Sequence, residues 1–205
     1  MEMQAHSGYY EDVDLFHMRG INEMLPGSIN GPYVRIDSID ENRKDIVFQF
    51  DEKTVYKKSY KYDGHCWMSF HYVDDSEEGA IFYFYEFVCG DSILELEYKN
   101  NPFQDGTLQT VRKIMYGKIS EYDLEDDTIR LKPSRDISTY PLGKFIRKRV
   151  SSYQIKNGVL SLHRQLIDGT SNEIIRESND CYVVGKLSYF WWSVAGHKLD
   201  KIKCY

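Results

Sequence analysis

The most self-consistent pattern of apolar and polar positions in the chain runs from Tyr83 to Tyr98. If residues 90–91 form a tight loop, apolar residues of the two flanking segments oppose each other on one face of an antiparallel hairpin. The opposed pairs on that face are Tyr83 with Tyr98, Tyr85 with Leu96, and Phe87 with Leu94. On the other face the pairs are Phe84 with Glu97, Glu86 with Glu95, and Val88 with Ile93. The pattern therefore predicts a central hairpin over a hydrophobic core.

Similar short segments follow one another from residue 33 onward. Strands are predicted over residues 34–39, 45–50, 54–62, 65–73, 107–116, 119–124, 128–131, 144–156, 173–176, 181–194 and 197–205, with residues 133–143 irregular. Asp63-Gly64 and Asn157-Gly158 are favoured hairpin loops, and the second places Tyr153 opposite Leu162. Some 12 strands with short turns predict an all-β antiparallel meander. We expect it to form a barrel or a strongly curved sandwich, because closure protects sheet edges.

Residues 1–32 differ from the rest of the chain. Leu15, Met18 and Leu25 have weak helical spacing, and Pro26-Gly27 ends it, so a short N-terminal arm or helix is expected. Residues 33–205 are predicted to be one β domain. The segments 33–100 and 107–205 share an order of strands and turns, which indicates either a duplicated meander or the general pattern of hairpin sequences.

The segment from Ser152 to Leu162 is typical of these units: a strand, the Asn157-Gly158 turn and a second strand. Such units resemble lipocalin-type barrels in general style over most of the chain. The GxW motif of a lipocalin opening strand does not occur.

Composition limits the function classes. The net charge is −6 with a pI of about 5.5, which argues against general nucleic-acid binding and against attraction to anionic membranes. A signal-like N-terminus and an apolar run of bilayer length are both absent from the sequence, and the expectation is a cytoplasmic protein. The four cysteines show no metal-binding spacing, so structural thiols without metal or cofactor are expected.

Acidic residues dominate one face of the central hairpin. Glu86 is predicted to oppose Glu95, with Glu97 two residues further along the same face. Like charges directly opposed across strands are unfavourable. Solvent with a Lys or Arg from a neighbouring strand would compensate, and the functional alternatives are a bound cation or an acid/base pair with one raised pKa.

Aromatic and basic residues supply the other candidates for ligand binding. The run Tyr189-Phe190-Trp191-Trp192 indicates either a buried strand or a pocket. Arg147 and Arg149 share a predicted strand face that could contact an anion. The complete candidate set is Tyr83, Tyr85, Tyr189, Trp191, Trp192, Arg147 and Arg149.

Sequence motifs give little support for catalysis. No nucleophile elbow or glycine-rich phosphate loop occurs, and Ser161 and His163 lack an identifiable third partner. The leading hypothesis is a non-catalytic module that binds a small, partly apolar ligand among aromatic side chains. One alternative is a protein-interaction or inhibitor domain that docks through the acidic face and the turn at residues 74–78. A second alternative is a carboxylate-dependent hydrolase.

Overall fold

The computed structural model describes residues 6–29, 31–49, 55–75, 79–124, 129–140, 142–183 and 201–204. Fourteen strands in these ranges form one antiparallel sheet with the order β14-β13-β12-β11-β10-β9-β8-β7-β6-β5-β4-β3-β1-β2. The strands are β1 (His6–Asp14), β2 (Arg19–Met24), β3 (Tyr33–Asp40), β4 (Arg43–Gln49), β5 (Val55–Tyr62), β6 (Trp67–Asp75), β7 (Ala80–Cys89), β8 (Ser92–Lys99), β9 (Thr107–Met115), β10 (Lys118–Asp123), β11 (Arg147–Lys156), β12 (Val159–Asp168), β13 (Ile174–Val183) and β14 (Lys201–Ile202). The predicted all-β meander is confirmed.

The central hairpin is β7 and β8, and its register is the predicted one. Tyr83 pairs with Tyr98 and Glu86 pairs with Glu95. The register predicted around Asn157 is also confirmed, with Tyr153 opposite Leu162. Asn157 has a φ of 53°, in the left-handed region that asparagine tolerates in a tight hairpin loop.

The sheet curls strongly but does not close. Phe16, after β1, and Tyr116, after β9, have ring centroids 5.7 Å apart. In a flat sheet these strands, seven positions apart, would be separated by about 34 Å. The expectation of a barrel is wrong, because the order runs linearly from β14 to β2 and the ends do not pair within the described residues.

The two faces of the curled sheet have different cores. The inner face carries one buried cluster that includes Val34, Ile46, Phe48, Ile93 and Leu160. The outer face of β7–β9 carries a second cluster, which is covered by the chain segment between β10 and β11. Ile129 and Leu131 in that segment pack onto this cluster as irregular chain, and no strand forms at 129–131.

The expected N-terminal arm or helix is not seen. β1 and β2 form a hairpin that joins the sheet through pairing of β1 with β3. Leu15 and Met18, which gave the helical spacing, lie in the hairpin loop and are buried on the inner face. Their spacing therefore reflects a loop folded over the core. A short 3₁₀ turn, Pro26–Ser28, follows.

All four cysteines are in disulfides, so the expectation of thiols is wrong. Cys66 pairs with Cys89 across β6 and β7, and Cys181 pairs with Cys204 near the C-terminus. Both pairs have a sequence separation of 23. Pairing depends on which strands become neighbours, and Trp67 lies opposite Val88, which brings Cys66 and Cys89 together.

Helices contribute little to the described parts of the chain. No helix there has the length and hydrophobicity needed to cross a bilayer. The strands expected over 184–194 and 197–200 lie outside the described residues.

Candidate functional site

A fork between β5 and β6 opens the inner face near the middle of the sheet. Within the described residues these strands pair through Tyr60 with Ser69, Lys61 with Met68, and Tyr62 with Trp67. Beyond Ser69, β6 continues to pair with β7 alone, while β5 continues to pair with β4. A pocket of about 240 Å³ lies on the inner face beside this fork, lined by residues of β5 to β9.

A row of directly opposed polar residues crosses the inner face from β5 to β11. In order it contains Tyr60, Ser69, Glu86, Glu95, Arg112, Glu121 and Arg149. A second row lies next to it and contains His71, Phe84, Glu97, Thr110, Asp123 and Arg147. The pocket lies over the β6–β9 part of both rows.

Glu86 is the buried centre of the first row. Its carboxylate accepts hydrogen bonds from the Lys58 ammonium and from the Tyr60 hydroxyl. The side chains of Lys58 and Glu86 are 14% and 8% exposed. Burial alone would raise the pKa of Glu86, but Lys58 and the hydrogen bonds hold that pKa below its usual value. Glu86 is therefore a charged, fully partnered carboxylate.

The pKa of Glu95 is shifted in the opposite direction, above its usual value. Burial raises the pKa of Glu95, and contact with Glu86 raises it further, against the lowering effects of Lys58 and Arg112. The two carboxyls are neighbours whose pKa values are shifted in opposite directions, so Glu95 takes up a proton before Glu86 does as the pH falls.

Arg112 links this pair to the next strands. Its Nη1 donates to Oε2 of Glu95 at 2.9 Å, and its Nη2 lies 2.6 Å from Oε2 of Glu121. Arg149 then contacts Glu121 and lies 2.9 Å from Asp123. The carboxylates that the sequence placed face to face are thus compensated by Lys58 on one side and Arg112 on the other.

Glu97 is an acidic residue of the second row that does not take part in this network of ion pairs. Its side chain makes no hydrogen bond or ion pair with any residue of the described ranges. Burial raises the pKa of Glu97, and Glu121 and Asp123 add to that effect while Arg112 opposes it. Glu97 lines the pocket and is half-buried.

Aromatic side chains line the pocket beside Glu97. Phe84 lies directly opposite Glu97, and on its other side it stacks on His71 with ring centroids 4.8 Å apart and planes 11° apart. Burial lowers the pKa of His71, with Lys58 contributing, which favours the neutral ring near pH 7. Tyr56 closes the β5 side, and burial raises the pKa of its hydroxyl.

Among the described residues, Tyr85 is the only one of the sequence-predicted ligand residues that lines this pocket. The rings of Tyr83 and Tyr85 lie on the outer face, in an aromatic group with Phe70, Tyr72 and Phe103. Tyr189, Trp191 and Trp192 lie outside the described residues.

The basic candidates lie at the far end of the two rows. Arg149 is held by Glu121 and Asp123, and Arg147 opposes Asp123 at the exposed end of the second row. Phe145, which precedes β11, packs into the outer cluster.

Lys58, Tyr60, Arg112 and Tyr56 were missed as site residues by sequence reasoning. A compensating Lys or Arg was expected, but its identity depends on pairing between separate hairpins. The alternation of Tyr56, Lys58 and Tyr60 in β5 was the available signal, because it places all three on one face.

The described residues contain no group of three or more His, Cys, Asp or Glu side chains arranged to hold a metal ion. Comparison of the chain with protein-family models, with curated proteins and with solved structures gives no match. The function of the site must therefore be argued from its own geometry.

Proposed function

We propose that the protein is a non-catalytic binding module that takes a small, partly apolar ligand into the pocket beside the β5–β6 fork. The observation that carries this proposal is the unpartnered, half-buried Glu97 carboxylate beside the Phe84 and His71 rings. A ligand that donates a hydrogen bond to Glu97 gains a charge-assisted interaction in this half-buried position, and its apolar part packs on the aromatic wall.

Pocket size and shape support a small-molecule ligand over a protein partner. The volume of about 240 Å³ falls below the usual range of drug-sized sites, so the ligand is smaller than a typical drug. Glu86 is buried, and Glu95 lies in the recess between Lys58 and Arg112. A docking surface for a basic protein would present these carboxylates outward.

Native mass spectrometry of the protein purified from its own cells tests the proposal. We expect a non-covalently retained small molecule on the wild-type chain. Thr110→Phe, which fills the pocket, should lose it, whereas Lys113→Phe, opposite Leu94 on the outer face of the same strand, should retain it. A bare wild-type protein, or retention in Thr110→Phe, would contradict a ligand in this pocket.

The raised pKa of Glu95, caused first by burial, favours one second candidate, a carboxylate-dependent hydrolase. A carboxyl whose pKa is raised is suited to general acid catalysis. Assays with p-nitrophenyl glycosides and p-nitrophenyl esters test this candidate. Hydrolysis abolished in Glu95→Gln would support it, and hydrolysis unchanged in that variant would rule out the assignment.

A further inference from the structure

We infer that the ligand of the fork pocket carries a cationic nitrogen, an ammonium group that binds between Glu97 and the Phe84 ring. This inference rests on the proposed binding function and names the class of ligand. Its basis is the charge balance of the pocket and the position of one aromatic ring.

One carboxylate of the pocket lining, Glu97, has no cation paired with it among the described residues. The lining contains two cations, Lys58 and Arg112, and three carboxyls, Glu86, Glu95 and Glu97. Lys58 is committed to Glu86, and Arg112 to Glu95 and to Glu121. Both cations of the lining are therefore already paired, and neither forms an ion pair with Glu97.

The neighbouring charges do not supply the missing cation. In the row beyond Glu97, Thr110 separates it from Asp123, which is itself acidic, and Arg147 follows one strand later. Three strand spacings, about 14 Å, thus separate the backbones of Glu97 and Arg147. His71 is held toward its neutral form by burial and by Lys58. The potential at Glu97 is accordingly negative.

The aromatic wall selects the kind of cation. Phe84 and Glu97 are directly opposed, so their side chains begin about 5 Å apart on the same face. An ammonium between them donates a charge-assisted hydrogen bond to Glu97 and gains cation–π attraction from the ring. A metal ion would need more oxygen ligands, and no suitable group of side chains occurs in the described residues. The geometry points to an organic amine.

Three probes of matched shape and different charge test the inference: benzylammonium, benzyl alcohol and benzoate. Binding is measured by titration of the ¹⁵N-labelled full chain at pH 7 and low salt. We expect benzylammonium to bind at least ten-fold more tightly than benzyl alcohol, with no binding of benzoate. Glu97→Gln should remove the preference for the ammonium. Asp91→Asn, the matched loss of a carboxylate in the exposed β7–β8 turn, should leave it intact.

Each other outcome counts against the inference in a distinguishable way. If benzylammonium and benzyl alcohol bind equally and Thr110→Phe abolishes both, the pocket binds ligands but the ammonium assignment is wrong. A preference for the ammonium that persists in Glu97→Gln would exclude Glu97 as its partner. If no probe binds the wild-type protein, the ammonium inference fails, and the proposed function fails with it when native mass spectrometry also finds a bare chain.

Discussion

Removal of the Lys58 ammonium should lower the free energy of unfolding more than removal of an exposed lysine does. In Lys58→Met the Glu86 carboxylate stays buried and loses its cation, with the Tyr60 hydroxyl and the neighbouring Glu95 carboxyl left beside it. Breaking one side of a buried ion pair costs about 3–5 kcal/mol. Lys57→Met is the matched control, because Lys57 is the next residue, is 53% exposed and pairs with Asp45. Exposed pairs contribute about 0–1 kcal/mol.

The assay is urea denaturation at pH 7 with the disulfides intact, followed by tryptophan fluorescence. We expect Lys58→Met to lose at least about 2 kcal/mol more unfolding free energy than Lys57→Met. The double variant Lys58→Met/Glu86→Gln should recover part of that loss, because no charge is left unpaired in the interior. Equal losses for the two single lysine variants, or strict additivity in the double variant, would refute the buried pair as described.

Two further predictions concern pH and the disulfides. The raised pKa of Glu95 means that its contribution to stability is present at low pH and is lost as the pH rises through that pKa, so the stability of Glu95→Gln relative to wild type should increase from pH 4 to pH 8 in urea denaturation. A flat or falling difference would show that the pKa is not raised. Cys66→Ser/Cys89→Ser and Cys181→Ser/Cys204→Ser should each lose about 3–4 kcal/mol, because both disulfides close loops of equal sequence separation. Losses below about 1 kcal/mol in the same assay would contradict the loop-entropy argument.

The local pattern of apolar and polar residues was sufficient to predict the register of the two hairpins. The turns at residues 90–91 and 157–158 fix the register of their own strands, and alternation then assigns each side chain to a face. The opposition of Glu86 and Glu95 followed from these rules alone. The curl of the sheet did not follow, because it depends on how the turn containing Phe16 meets the turn containing Tyr116.

The site required information that no single hairpin carries. Lys58 reaches Glu86 from a strand that is two positions away in the sheet, past β6. Its partner could be named only after β5, β6 and β7 had been ordered and the fork located. The prediction for Tyr83 and Tyr85 also used a single hairpin. A hairpin alone does not show whether its aromatic face lies on the inner or the outer surface of a curled sheet. The disulfides also depended on strand order.

The short contact between β5 and β6 joins two parts of the sheet that share the inner core. One part contains β1 to β5 and the other contains β6 to β14, and three residue pairs join their backbones within the described chain. Side-chain bonds from Lys58 and Tyr60 to Glu86 cross the same junction. The backbone amides that join these three pairs are protected only while the junction is closed, so their hydrogen exchange reports its opening separately from global unfolding. The bonds from Lys58 and Tyr60 to Glu86 consequently fix the β5 wall of the fork pocket against β7.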